Sequence, residues 1–268
     1  MCRKNDLVCR KNDLATVLRS AEVVPTATKR DGPVTRDEEV LVVGGTRGTG
    51  LLVVQLLLRD GYRVRALTRH AERAKAHLDP TVEVILGDLT RPETIPPAVH
   101  GVAHIVFTAG VPVGPARESL IKATEYEGAV KTLAAARREG FRGRFVYMTA
   151  IGVTRSSLTG TLLNLAKGNT LRWRRRVEDE IRASGADYAI IRAGFLLNKP
   201  GGTRAIELTQ EDLPLKPRYR IARADVAETI VEALKRPRAS RATFDVVWGR
   251  GARREAWDTL FARVKTDA

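Results

Sequence analysis

Gly44, Gly48 and Gly50 are spaced as Gly-x-x-x-Gly-x-Gly, with Thr46, Arg47 and Thr49 among them. A loop of this kind can hold a phosphate. Its backbone lets an anion come close because no Cβ stands in the way, and the N–H groups that open a following helix carry partial positive charge. The apolar residues 40–43 before the loop read as a buried strand, and residues 49–60 after it have helical spacing. Strand, glycine turn and helix together are the build of a dinucleotide-binding site. In it Gly44 permits the tight turn, Gly48 leaves room for a pyrophosphate, and Gly50 lets the helix start pack against the strand.

The charge at the end of the second apolar run, residues 62–68, bears on which dinucleotide. An acid there would hold the ribose hydroxyls of NAD. No Asp or Glu occurs from residue 61 to 71; Arg69 stands at the strand end and Arg47 inside the glycine loop. Two guanidinium groups so placed can clamp a 2′-phosphate by forked, charge-assisted contacts, which points to NADP.

Ligands of open α/β sheets bind beyond the carboxyl ends of the strands. After the third apolar run comes Gly87-Asp88-Leu89, where Asp88 can accept from an adenine amino group with Leu89 against the ring. After the fourth come the small residues Thr108, Ala109 and Gly110, and after the fifth comes Thr149-Ala150. After the sixth come Ala193, Gly194 and Phe195, where a nicotinamide would lie. Thr149 is placed to hydrogen-bond a substrate carbonyl, and Arg174 to contact cofactor or an anionic substrate.

Strand-like runs at 40–44, 62–68, 82–86, 103–107, 144–149, 187–192 and 242–247 alternate with helix-like runs at 49–60, 71–78, 116–139, 170–184, 223–236 and 253–265. The alternation predicts an α/β fold: a doubly wound, Rossmann-type parallel sheet over residues 39–268, one domain with a small substrate-side elaboration toward the C-terminus. Pro92, Pro96 and Pro97 predict a short, turn-like stretch after the third strand, and residues 154–170 read as a mobile cover over the site.

Residues 1–38 read as a flexible extension, with a short helix available at 7–24. It contains a repeated heptapeptide, Cys2-Arg-Lys-Asn-Asp-Leu-Val8 and then Cys9-Arg-Lys-Asn-Asp-Leu14, and its two cysteines are the only ones in the chain. No histidine lies near them, so no metal site is expected. The net charge of +15 is spread along the chain as Arg, with one dense cluster at 172–176 and no nucleic-acid-binding signature beside it, so nucleic acid is the weaker partner expectation. No apolar run is long enough for a membrane span and the N-terminus lacks a secretory core, which makes the cytoplasm the expected compartment.

The order of these blocks resembles the short-chain dehydrogenase/reductase superfamily, and most of all its atypical, NmrA-like NAD(P)H-binding branch. The likeness runs from about residue 40 to the end. It rests on the glycine loop, Leu67-Thr-Arg69, Gly87-Asp-Leu-Thr90, Tyr126-Glu-Gly128, Phe145-Val-Tyr-Met-Thr-Ala-Ile-Gly152, the run from Ala183 to Arg192, and Arg223-Ala-Asp-Val-Ala227. It implies a Rossmann-type fold that binds NADP(H). There are departures. The branch usually has Gly where Arg47 stands, often Ser-Ser where Thr149-Ala150 stand, and in many members Lys at the position of Arg174 and Pro at that of Ala193.

The superfamily's reductase chemistry uses a Tyr as general acid with a Lys four residues on. None of Tyr62, Tyr126, Tyr147, Tyr188 and Tyr219 has that Lys. Tyr188 is followed by Arg192, which does not titrate as Lys does. Two readings stay open: an NADPH-dependent oxidoreductase or related isomerase acting on a small organic substrate, and a non-catalytic NADP(H)-sensing regulator or assembly factor with a protein partner.

Overall fold

Val40, Leu41, Val42 and Val43 are all buried, so the strand they form needs cover on both faces. The rest of the fold supplies it. The computed structural model describes residues 38–268 apart from 112–113, 115 and 252–253, so the expected N-terminal extension with its cysteine repeat lies outside the described residues.

In chain order the elements are β1 (Glu39–Val43), α1 (Gly48–Arg59), β2 (Arg63–Thr68), α2 (Ala71–Lys75), β3 (Glu83–Leu86), α3 (Pro96–Val99) and β4 (His104–Phe107). A compound helix α4 follows, built from Glu118–Ile121, a π-helical stretch Lys122–Glu127 and Gly128–Arg138. Then come β5 (Arg144–Ala150), α5 (Leu158–Ala166), α6 (Thr170–Ala183), β6 (Asp187–Ala193), β7 (Phe195–Leu197), β8 (Ile206–Thr209) and β9 (Arg220–Ala222). Last are α7 (Arg223–Lys235), β10 (Ala242–Trp248) and α8 (Trp257–Ala262). No helix among the described residues is long and apolar enough to cross a membrane.

The main sheet has the order β3-β2-β1-β4-β5-β6-β10-β8. Its direction of winding reverses between β1 and β4, which opens a crevice there at the carboxyl ends. Alternation along each strand sends one set of side chains to each face. On one face Val40, Val42, Val106, Val146 and Ile191 pack under α1 and α7 through Val53, Leu57, Val226 and Ile230. On the other, Leu41, Val43, Ile105, Phe107, Phe145 and Ile190 pack under α4 and α6 through Ala129, Leu133, Val177 and Ile181. Each such fully buried Leu, Val, Ile or Phe contributes roughly 1.5–3 kcal/mol. A third, smaller cluster (Ile151, Val153, Leu171, Leu213, Leu215 and Val247) supports the loops beyond β5.

The structure corrects the sequence expectation in five places. The sheet is not wholly parallel: β8 runs antiparallel to β10, with Ile206 opposite Trp248. Its Ile206 and Leu208 point inward while Glu207 stays in water, an edge strand too short to stand out between glycines and prolines. β7 and β9 pair apart from the main sheet, where no strand was expected. The prolines after β3 do not only make turns, because Pro96 opens α3 from a first-turn position, where its missing N–H is no loss. α2 and α8 are shorter than the expected 71–78 and 253–265. Finally, residues 154–170 contain α5, which is packed on α6 and capped at its start by the Ser157 hydroxyl accepting from the Gly160 N–H at 3.0 Å.

Candidate functional site

At the reversal point lies a cleft of about 870 Å³, within the usual range for a pocket that holds a small organic ligand. Its first wall is the glycine loop. Gly44 has φ +90°, and a Cβ there would sit 2.7 Å from the Ala109 backbone nitrogen. A Cβ on Gly50 would lie 2.2 Å from the Gly44 carbonyl oxygen and 2.5 Å from Thr108 Oγ1, so α1 starts hard against the end of β1 and the Thr108 hydroxyl after β4. Gly48, at φ +55°, faces open space with Arg223 Nη1 3.8 Å from where its Cβ would stand. α1 has neither a side-chain cap nor an acid in its first turn, which leaves its opening amides and dipole facing the cleft.

Of the residues expected at a ligand site, Gly44, Thr46, Arg47, Gly48, Thr49, Gly50, Arg69, Asp88, Leu89, Thr108, Ala109, Gly110, Thr149, Arg174, Ala193 and Gly194 all line this one cleft. Phe195 does not. Its N–H donates to the Tyr219 carbonyl and its ring packs on the third cluster, because β7 turns away from the sheet immediately after Gly194. Asp88 has already committed one oxygen: Oδ1 accepts from the Thr90 N–H and hydroxyl, each at 2.8 Å. Leu89 is wedged against α4, where Gly128 makes room for it.

Two side-chain oxygens in the described structure are buried without a hydrogen-bond partner, Thr49 Oγ1 and Thr149 Oγ1, and both residues line the cleft. Thr149 lies near the Tyr147 phenol, two positions back on the same face of β5, but not in hydrogen-bonding geometry with it. Leaving buried polar groups unpaired costs about 1–3 kcal/mol each, and a bound polar ligand recovers that cost. Together with the Cβ-free cradle at Gly44 and Gly50, this is a fit to a dinucleotide: phosphates over the loop and α1, and a polar group at Thr149.

Charge divides the lining unevenly. Arg47, Arg69, Arg73, Lys167, Arg174 and Arg223 face Asp88 as the single acid. Arg73, Arg223 and Lys167 escaped the sequence reading. Arg223 sits at the start of α7, its Nε donating to Asn198 Oδ1 at 2.9 Å, and hangs over the glycine loop from the far side of the cleft.

A charged cluster lies behind the wall near the carboxyl end of β5. Glu125, on the π-helical stretch of α4, is 1% exposed. Its Oε2 accepts from Arg174 Nε and Thr170 Oγ1, each at 2.8 Å, and its Oε1 accepts from the Val111 N–H at 3.0 Å with Lys167 Nζ at 3.7 Å. Burial pushes the Glu125 carboxyl up, but Arg174 and Lys167 together outweigh it and hold it below the usual carboxylate range. Lys167 is pushed below the ordinary ammonium value, first by burial and then by Arg174, against the pull of Glu125. Burial drives the Tyr147 phenol up, and Tyr147 is not in the lining. Tyr188, in β6, gives its hydroxyl to Asp267 and is also outside the lining, while Arg192 is held in a separate buried network by Glu178 and Asp212.

A family model described as NAD(P)H-binding matches residues 44–237. Sanguinarine reductase of Eschscholzia californica is 30% identical over 264 residues, covering 85% of this chain and 96% of that one. A photosystem II assembly factor of Trieres chinensis is also 30% identical, over 157 residues, covering 58% of this chain and 46% of that one. Among solved structures, the oxidoreductase YlbE of Lactococcus lactis superposes with a TM-score of 0.69 at 19% identity, covering 84% of this chain and 95% of its own. That last likeness speaks for the fold. The chain belongs to the NAD(P)H-binding family whose model it matches over most of its length.

Proposed function

We propose that the protein is an NADPH-dependent reductase of a small organic substrate. The observation that carries this reading is the charge of the cleft: six cations against one acid, with Arg47, Arg69 and Arg73 at the end where an adenosine ribose would lie and no carboxylate at the β2 end. A 2′-phosphate matches that end, and a ribose hydroxyl pair awaiting an acid does not. Arg47 and Arg69 bind the 2′-phosphate, the opening amides of α1 with Arg223 bind the pyrophosphate, and Thr49 and Thr149 gain the partners they lack. Bound NADPH supplies a hydride. Thr149 hydrogen-bonds the substrate carbonyl, and Arg174, fixed by Glu125, presents Nη2 beside Gly110. The sanguinarine reductase likeness, which extends over nearly the whole of both chains, supports an enzyme, and the assembly-factor likeness covers a smaller share.

The test is loss of NADPH absorbance with a panel of aldehydes, ketones, quinones and enones. Turnover with NADPH at least tenfold above NADH is expected. Tight NADPH binding with no turnover across the panel would replace this reading with the cofactor-sensing one, and a protein partner would then be sought.

A further inference from the structure

A reductase of this superfamily without its Tyr-Lys pair still has to deliver a proton to the reduced oxygen. Around Glu125 and the end of β5 the lining residues that carry one are Thr124, Thr149, Arg174 and Lys167. A Thr hydroxyl is too weak an acid, and a guanidinium beside a buried carboxylate keeps its proton. That leaves the lysine.

Lys167 sits where a mobile cover was expected, at the C-terminal end of α5, and the local backbone fixes it there. Gly168 and Asn169 both take left-handed conformations, φ +47° and +56°, to turn the chain from α5 into α6. A Cβ on Gly168 would stand 2.6 Å from Glu118 Cα, so the turn is seated directly on the start of α4. Asn169 Nδ2 and Trp173 Nε1 each donate to Glu118 at 3.0 Å and clamp it. The Lys167 side chain, 11% exposed, is thereby directed inward, where Nζ donates to the Val111 carbonyl at 2.9 Å. The charged groups facing Nζ are Glu125 from α4 and Arg174 from α6; the loop after β4 offers the Val111 carbonyl, and Glu118 is engaged by α6. Glu125 is outside the lining, so it orients the two cations without itself meeting a ligand.

We propose that Lys167 is the proton donor of this site, with Nζ, held in the cleft wall by the Val111 carbonyl and Glu125, protonating the oxygen of the carbonyl being reduced. The inference rests on the reductase reading. In the step, the carbonyl carbon gains a C–H bond from the hydride, the C=O π pair moves onto oxygen, and that oxygen takes a proton from Nζ. The substrate is reduced to the alcohol and NADPH is oxidised to NADP. Lys167 is left as a neutral amine and regains its proton from water at the cleft mouth. The lowered ammonium value brings its acidity closer to that of a useful general acid.

The test compares wild type with Lys167→Met and Lys167→Arg. It uses three readouts: NADPH affinity by calorimetry, the pH profile of kcat, and the carbon-13 resonance of dimethylated Lys167 in the NADP-loaded protein. General acid catalysis contributes about 10²–10⁴-fold, so both variants should lose roughly that in kcat while binding NADPH within about threefold of wild type. The wild-type kcat should fall as pH rises through the Lys167 value, since only the ammonium form donates. The labelled resonance should titrate at that same value, below those of the surface lysines. If Lys167→Arg restores kcat, or the resonance titrates with the surface lysines, Lys167 is a structural cation and the proposal is overturned. Wild type that binds NADPH and turns nothing over removes the reductase reading and this proposal with it. Turnover undiminished in Lys167→Met removes this proposal alone.

Discussion

The two ends of the cleft are built from different materials. The end beside β1 has a floor of backbone, from three glycines, the opening amides of α1 and the small residues after β4, with the Arg47, Arg69 and Arg73 side chains at its β2 margin. The end beside β5 is made of charged side chains drawn from distant segments, with Lys167 and Arg174 in the wall and buried Glu125 behind them, while Glu178, Arg192 and Asp245 form a separate buried network away from the cleft. A backbone cradle recognises phosphate whatever the pH and fails only through shape. A side-chain cluster is assembled by the tertiary fold, titrates, and fails when one partner is removed.

The first way to break this contrast is Gly50→Ala. A Cβ 2.2 Å from the Gly44 carbonyl cannot be accommodated without moving the loop. NADPH affinity should fall by at least roughly 100-fold, about 2.7 kcal/mol, in calorimetry. Near-normal binding would show that the loop yields more easily than its packing implies.

At the other end the corresponding change is Glu125→Gln. It leaves Arg174 and Lys167 facing each other without their shared carboxylate, and removing one partner of a buried pair costs about 3–5 kcal/mol. Denaturant unfolding should show that loss. The cradle should remain intact, so the affinity of the surviving folded protein for an adenine nucleotide should change little.

A smaller effect is expected from pH. Burial, reinforced by Asp212 and Glu178, raises the Asp245 carboxyl to about 7, against the Leu213 N–H and Arg192. Its unfolded value is the ordinary 3.8. Between these values the folded chain binds a proton that the unfolded chain releases, so this group's contribution to stability falls as pH rises from about 4 to 7. Asp245→Asn keeps an acceptor for Leu213 and removes the buried charge. Its unfolding free energy relative to wild type, measured in denaturant, should therefore be higher at pH 8 than at pH 4.5, by an amount on the order of 1–3 kcal/mol. No dependence on pH in that difference would place the titration elsewhere.

The contrast also explains what the sequence made legible. β1, the glycine loop and α1 are contiguous in the chain, and each announces itself locally by apolar run, glycine spacing and helical period. The main parallel strands follow from the same alternation. The π-helical stretch Lys122–Glu127 does not, because its residues are ordinary helix formers and the extra residue per turn that buries Glu125 and Tyr126 arises from packing on α6. β8 was lost because a four-residue edge strand carries only two inward apolar residues. Lys167 did leave a signal: it is the only charged residue between Arg155 and Arg172, in a chain whose residues are 29% charged. Its partners, 42 residues upstream at Glu125 and seven residues on at Arg174, become neighbours only when α4, α5 and α6 fold together.

In the proposed function the basic end of the cradle selects the 2′-phosphate of NADPH. Calorimetry of NADPH and NADH against wild type and Arg69→Ala tests it most directly. Wild type should prefer NADPH by at least tenfold, and the variant should lose the roughly 1.5–3 kcal/mol of a charge-assisted contact from that preference while NADH affinity stays unchanged. Equal affinities in wild type, or a preference that survives the loss of Arg69, would contradict it.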